Sequence, residues 1–132
     1  MSNFHSVWRT NMFEVTDEIA YNKLVTLMKD NGYVDDEFTN FDMKHGMAGS
    51  TDFDLEEIDE DILYYLSEIS HLLPEGEVLI SIEAWNSGFD AVGSVIRIFT
   101  KDDYYVVTAE ELALAKAREI LGNKKYPTSL YN

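Results

Sequence analysis

Cysteine is absent from the 132 residues, and proline occurs only twice. The absence of cysteine excludes disulfide bonds, thiolate nucleophiles, iron–sulfur clusters and cysteine-type zinc sites, and it favours a reducing intracellular location. No apolar run approaches the ~20 residues that a membrane-spanning helix needs. The opening MSNFHSVWRT lacks the basic start and the apolar stretch of a signal peptide. The sequence therefore predicts a soluble cytoplasmic protein with no membrane partner.

Positive charge is the second scarcity. Ten lysines and arginines stand against 25 aspartates and glutamates, so the net charge is −15. This acidity does not indicate disorder, because hydrophobic residues make up 45% and aromatic residues 13% of the chain. We expect a single domain over residues 1–132 with a substantial core, and an irregular C-terminal tail over 123–132.

The charge imbalance lies entirely in the middle of the chain. Residues 1–29 hold three acids and three bases, and residues 84–132 hold six of each, so both segments are neutral. Residues 30–83 hold sixteen acids and a single base, Lys44. A surface of one sign attracts cationic partners and repels nucleic acids and anionic membranes.

The N-terminal half shows patterns of strands and helices in alternation. The segment VWRTNMFEV predicts a strand with Arg9, Asn11, Phe13 and Val15 on one face and Trp8, Thr10, Met12 and Glu14 on the other. A helix follows, capped by Thr16 or Asp17 and ended by Gly32, with an apolar stripe at Ala20, Leu24, Leu27 and Met28. EFTNFDM predicts a second strand, and KHGMAGS predicts a loop.

The C-terminal half predicts a helix, three antiparallel strands and a final helix. The first helix begins near Asp59, with Ile58, Ile62, Leu66, Ile69 and Leu73 at helical spacing. The segments EVLISIEAW, AVGSVIRIFT and YYVVT follow as strands, and the first alternates Val78, Ile80, Ile82 and Ala84 against Leu79, Ser81, Glu83 and Trp85. A capping box from Thr108 to Glu111 starts the last helix, which has Leu112, Ala115 and Leu121 inward and ends at Gly122.

Together these patterns predict an α+β fold with the order β-α-β-α-β-β-β-α. We expect a mostly antiparallel sheet with about three helices packed largely on one side.

The run TDFDLEEIDED, residues 51–61, admits several interpretations. Asp52, Asp54 and Glu56 match the first three ligands of a calcium loop, but the sixth position is Glu57 instead of glycine and the twelfth is Leu63. Acids in the first turn of a helix are stabilised by its dipole, which explains two or three carboxylates and not seven. A further interpretation is that the acidic run forms a solvated face with no function beyond solubility.

The alternative is mimicry of a nucleic acid. Duplex DNA carries one charge per ~1.7 Å, so fifteen excess carboxylates correspond to about 25 Å of duplex, within the ~35 Å breadth of such a domain. The protein would then bind the basic groove of a nuclease or other nucleic-acid enzyme without binding nucleic acid itself. The predicted partner-binding residues combine these acids with nearby aromatic residues: Asp35, Asp36, Glu37, Asp42, Asp52, Asp54, Glu56, Glu57, Asp59, Glu60, Asp61, Tyr64, Trp85 and Phe89.

A second hypothesis rests on the aromatic residues, because tyrosine and tryptophan often anchor protein interfaces. The paired positions are Tyr64 and Tyr65, Trp85 and Phe89, Tyr104 and Tyr105, and Tyr126 and Tyr131. One member of each pair is expected to pack inward, and the other would form a binding patch or a homodimer interface. The protein would then be an acidic interaction or immunity protein.

Enzymatic chemistry has little sequence support. His5, His45 and His71 have no partner at metal-ligand spacing and are typical of surface or capping histidines. The segments GMAGS and NSGFD match neither a phosphate-binding loop nor a nucleophile elbow. We therefore predict a protein without catalytic residues, cofactor or bound metal, and keep a small enzyme or metal-binding domain as the third alternative.

The opening SVWRTNMFEVTD resembles the start of a family of small acidic proteins of bacteriophages and mobile elements. Arg9, Asn11, Phe13 and Asp17 are the matched positions, and the later segment LPEGEVLISIEA is similar to a second block of that family. The resemblance transfers no catalytic residue. It implies an inhibitor of a host defence enzyme, such as an anti-CRISPR or antirestriction protein acting in the host cytoplasm.

Overall fold

The computed structural model describes residues 5–51, 56–86 and 92–122. These form three helices and one antiparallel sheet of six strands in the order β2-β3-β1-β4-β5-β6. The bounds are β1 His5–Thr10, α1 Glu18–Asp30, β2 Asp36–Thr39, β3 His45–Thr51, α2 Glu56–Ser70, β4 Leu79–Asn86, β5 Val92–Phe99, β6 Tyr104–Thr108 and α3 Ala109–Leu121. The α+β class is confirmed. No helix in the described ranges is both long enough and apolar enough to span a membrane.

The prediction of a loop at KHGMAGS is wrong, because this segment is β3, which pairs with both β1 and β2. Its small residues disfavour a strand locally, but they fit the space beside β1. A Cβ on Gly46 would lie 2.8 Å from the sulfur of Met12, and a Cβ on Gly49 would lie 2.6 Å from Nε1 of Trp8. Close approach of neighbouring groups, and not turn formation, therefore accounts for both glycines.

The first strand is shorter than predicted and ends at Thr10. Its alternation then breaks, because Asn11 donates a side-chain hydrogen bond to the carbonyl oxygen of Val78 and accepts one from the backbone N–H of Ile80. Phe13 and Arg9 were predicted on one face, yet Phe13 is fully buried and Arg9 is exposed. The break after Thr10 lets the chain bring Phe13 into the core.

Helix α1 begins where its sequence signals predict. Asp17 is the N-cap and accepts a hydrogen bond from the backbone N–H of Ala20. The apolar stripe is rotated from the predicted one, because the buried residues are Tyr21, Val25 and Met28. Leu27 is exposed, whereas Leu24 packs partly against the core.

Helix α2 begins at Glu56, about one turn before the predicted start near Asp59. Its predicted stripe is confirmed for the described side chains, since Ile62, Leu66 and Ile69 are buried together with Leu73 beyond the helix end. The side chain of Ile58 lies outside the described set.

The sheet buries the more polar face of β4. Leu79, Ser81 and Glu83 are buried on the helix side, whereas Ile82 and Ala84 are exposed on the opposite side. This arrangement follows from register, because Trp8 of β1 pairs with Glu83 and sends its indole into the core formed with α1 and α2. The more apolar face of the strand is consequently left open.

The C-terminal elements form a less buried wing of the sheet. The predicted turn at KDD and the capping box between Thr108 and Glu111 are confirmed, and Gly122 follows the end of α3 with a positive φ of 62°. The prediction that Leu112 and Ala115 point inward is wrong, because both are exposed and no residue of α3 is buried.

Candidate protein-binding surface

Two acidic segments that are distant in sequence meet at one end of the sheet. The hydroxyl of Tyr33, which lies between α1 and β2, donates a hydrogen bond of 2.8 Å to the carboxylate of Asp61 on α2. Asp35 and Asp36 follow Tyr33 after the buried Val34 and are exposed, as are Glu60 and Asp61. We call these four residues the acidic end: Asp35, Asp36, Glu60 and Asp61.

Two of the four carboxylates of the acidic end accept a hydrogen bond of 2.8 Å, Asp61 from Tyr33 and Asp35 from the hydroxyl of Ser50 on β3. The backbone of Asp36 is placed by the pairing of β2 with β3 opposite Ala48. The hydrogen bond to Asp61 raises the pKa of Tyr33 above its usual value. Fixed carboxylates lose little conformational entropy when a partner binds, which favours affinity.

Other predicted acids lie elsewhere in the fold. Glu37 points to the helix side of β2 and forms an ion pair with Lys29 at 2.6 Å. Asp42 lies in the β2–β3 turn, separated from Asp36 by the length of β2, about 10 Å. Glu56, Glu57 and Asp59 lie in the first turns of α2, and only their backbone is described. Asp52, Asp54 and Phe89 are outside the described residues, as are the first four positions, 52–55, of the considered calcium loop.

Aromatic side chains adjoin the acidic end. Tyr64, one turn after Asp61, is 58% exposed, and its ring centroid lies 5.4 Å from that of Tyr65. Tyr65 in turn lies 6.2 Å from Tyr33. The Tyr64 and Tyr65 pair therefore divides as predicted, with Tyr65 half-buried against the core. The charge of Glu68 raises the pKa of Tyr64.

Trp85 and the C-terminal tyrosine pair have different surroundings. Trp85 is half-buried on the helix side of β4, two residue pairs beyond the Trp8–Glu83 pair. Tyr104 and Tyr105 are both exposed, by 45% and 55%, so the prediction that one of them packs inward is wrong. Tyr104 stacks on Phe99, but none of the three described helices covers it enough to bury it.

A depression of about 430 Å³ lies beside the acidic end on the open face of the sheet. Its apolar lining includes Val7, Ile82 and Ala84, and its rim includes Asp35 and Asp36. Arg9 also lines it and makes no ion pair with another described residue. Sequence analysis missed this cavity, although the Val78–Ala84 alternation was a signal of an apolar strand face.

Two buried polar clusters were also missed. His45 was taken as a surface or capping residue, but it is 5% exposed, contacts Glu18 at 2.7 Å and Thr39 at 3.2 Å, and stacks on Tyr21. On the same side of the sheet, Arg97 donates to the buried carboxylate of Glu83 at 3.0 Å. Glu18 is 27 positions from His45, and Glu83 is 14 positions from Arg97, so no local sequence pattern indicates these pairs.

Metal ligation has no support in the part of the chain that the structure describes, where no three histidine, aspartate or glutamate side chains group to hold an ion. Comparison of the chain with protein-family models, curated proteins and solved structures gave no significant match. The resemblance to small acidic phage proteins therefore stays a prediction.

Proposed function

We propose that the protein is a non-enzymatic inhibitor that binds the basic groove of a nucleic-acid-handling enzyme through the acidic end. The host defence nucleases, of the CRISPR or restriction type, are the proposed target class. The carboxylates would occupy the positions that phosphates of the nucleic acid take in that groove.

The observation that carries the proposal is the junction between Tyr33 and Asp61. It brings the acids of the α1–β2 connection beside those of α2, so four exposed carboxylates share one end of the fold without a described cationic partner. Like charges at close spacing repel and weaken the folded state. A cluster that opposes stability in this way is consistent with selection for a cationic partner.

Phosphate recognition is mainly electrostatic and falls steeply with salt. A protein that replaces a nucleic acid should share this dependence. Raising the ionic strength from about 0.1 M to about 1 M shortens the Debye length from about 10 Å to about 3 Å. A partner captured from a host lysate at low salt should therefore be released at high salt.

Two matched variants test whether the position of the charge matters. Asp36→Lys with Glu60→Lys reverses two acids of the acidic end, and Glu75→Lys with Asp102→Lys reverses two exposed acids at the other end of the sheet. Both variants change the net charge equally. We expect the first to weaken inhibition of the captured nuclease by at least about tenfold and the second to change it little.

Equal effects of the two variants would show that only net charge matters, and a folded first variant with full inhibition would refute the proposal. Circular dichroism of both variants verifies that they fold.

A second candidate function is favoured by the apolar depression on the open face. There the protein would bind a partner through Val7, Ile82 and Ala84, with the carboxylates as its polar rim. Such an apolar interface responds weakly to salt. Filling the depression with Ala84→Phe would abolish binding of this kind while leaving the charge of the acidic end unchanged.

A further inference from the structure

The two edges of the sheet differ in their protection against pairing. The β2 edge has four residues and carries Asp36 and Glu37, which oppose strand addition by charge. The β6 edge has five residues, YYVVT, without a charged side chain. Tyr104, Tyr105 and Val106 are 45%, 55% and 50% exposed. An edge strand of this composition favours pairing with another strand.

Helix α3, which follows β6 directly, has a stripe, apolar apart from Lys116, that the described part of the chain does not cover. Its half-buried residues recur at one face, at Glu110, Leu114, Ala117 and Leu121. A second stripe is exposed at helical spacing, at Ala109, Leu112, Ala113, Lys116 and Ile120. Leu112 is 48% and Ile120 is 72% exposed. Short helices are marginal in water without packing, so this stripe favours a further contact.

Charge identifies the occupant of this surface. Residues 92–122 hold five acids and four bases, so this wing has a net charge of −1, whereas the rest of the chain has −14. Two copies of such an acidic chain repel each other in most orientations. The β6 and α3 surface is a described region where two copies can approach with little of that repulsion. A strongly basic partner, in contrast, would be attracted to the acidic end.

We propose that the β6 edge and the exposed stripe of α3 form the interface of a homodimer. Antiparallel pairing of β6 with its copy around a two-fold axis near Val106 would place Tyr104 opposite Thr108 of the second copy. The same surface serves both copies, so the assembly closes at two chains. The strand pairing would also bring the two α3 helices to the same side of the joined sheet.

The dimer would carry its two acidic ends at its outer edges. The two β2 strands would be separated by eleven strand spacings, about 50 Å along the sheet. Two copies of a site at that distance bind a two-fold symmetric or repetitive target with higher avidity than one copy. This consequence rests on the proposed function, whereas the dimer itself does not.

The test is the mass of the full chain in solution, measured by light scattering after size exclusion and by sedimentation equilibrium. We expect a dimer that persists at high salt, because salt screens the remaining repulsion and leaves apolar contacts intact. Val106→Lys places two cations at the two-fold axis, and Ile120→Glu places a charge in the helix stripe. Each should produce a folded monomer.

Ile82→Lys is the matched control, because Ile82 is 46% exposed on the open face and the substitution introduces the same charge as Val106→Lys. The control should remain a dimer. A monomeric wild type would overturn the proposal. A dimer that is dissociated by Ile82→Lys and not by Val106→Lys would overturn it as well, since the open face would then be the interface. Inhibition assays on monomeric variants separate this proposal from the proposed function.

Discussion

Removal of the Glu83 side chain should destabilise the fold severely. Glu83 and Arg97 form an ion pair at 3.0 Å, with side-chain exposures of only 6% and 20%. Burial lowers the pKa of Arg97, but the hydrogen bond and charge of Glu83, with a contribution from Tyr104, outweigh it and raise the pKa. Arg97 therefore stays charged, and Glu83→Ala leaves that charge without this partner in a mostly buried place.

Removing one partner of a buried ion pair lowers the free energy of unfolding by about 3–5 kcal/mol. We expect the lower value, about 3 kcal/mol, because Arg97 retains some contact with water. For a chain of this length that loss lowers the melting temperature by roughly 10 °C. Denaturant unfolding followed by tryptophan fluorescence measures the change, because Trp8, one of the two tryptophans, is the β1 partner of Glu83.

A double variant separates the pair from the packing around it. Glu83→Leu with Arg97→Met removes both charges and retains apolar volume, so it should cost much less than the sum of the single changes. A loss below about 1 kcal/mol for Glu83→Ala, as at a solvent-exposed pair, would refute the reasoning. Additive losses in the double variant would also refute it.

Three further predictions concern the glycines and the tyrosines. Gly49→Ala should lower the free energy of unfolding by about 3 kcal/mol or more, because the added Cβ would collide with the carbonyl oxygen of Tyr33. Gly76→Ala should lower it by only about 1–2 kcal/mol, because Gly76 has a positive φ but lies in open space. Thermal unfolding compares the two variants. Asp61→Asn should lower the pKa of Tyr33 toward its ordinary value. This pKa is measured from tyrosinate absorbance, as the difference between the titrations of the Asp61→Asn variant and of the same variant with Tyr33→Phe. Burial raises the pKa of Tyr21 above 10. The contribution of the neutral phenol to stability is therefore complete below pH 10 and is lost at higher pH. In Tyr21→Phe the free energy of unfolding should fall less steeply as the pH rises above 10, which unfolding experiments over a pH series measure.

Local signals predicted the elements that depend on neighbours in sequence. The Asp17 cap, the capping box at Thr108 and the stop at Gly122 all act within about one helical turn, so the sequence contains every group involved. The antiparallel order of the last three strands followed from short connections for the same reason. These signals placed α1, α3 and the β5–β6 hairpin correctly and set the α+β class.

Partners distant in sequence produced the errors. The segment 45–51 has the composition of a loop and becomes a strand because β1 and β2 supply backbone hydrogen bonds on both sides. The stripe of α3 was predicted inward from its period, but periodicity indicates an apolar face and does not state what covers it. Leu112 is exposed because no element of the described chain covers it sufficiently.

The amino-acid sequence by itself determined the fold class, the caps of α1 and α3 and the confinement of the excess acid to residues 30–83, because composition and local spacing contain that information. The tertiary structure alone decided which acids are neighbours and which face of β4 is buried. Tyr33 and Asp61 are 28 positions apart, and Trp8 and Glu83 pair across two strands. Their contacts depend on strand register and on the packing of α2, which form only when the whole chain folds.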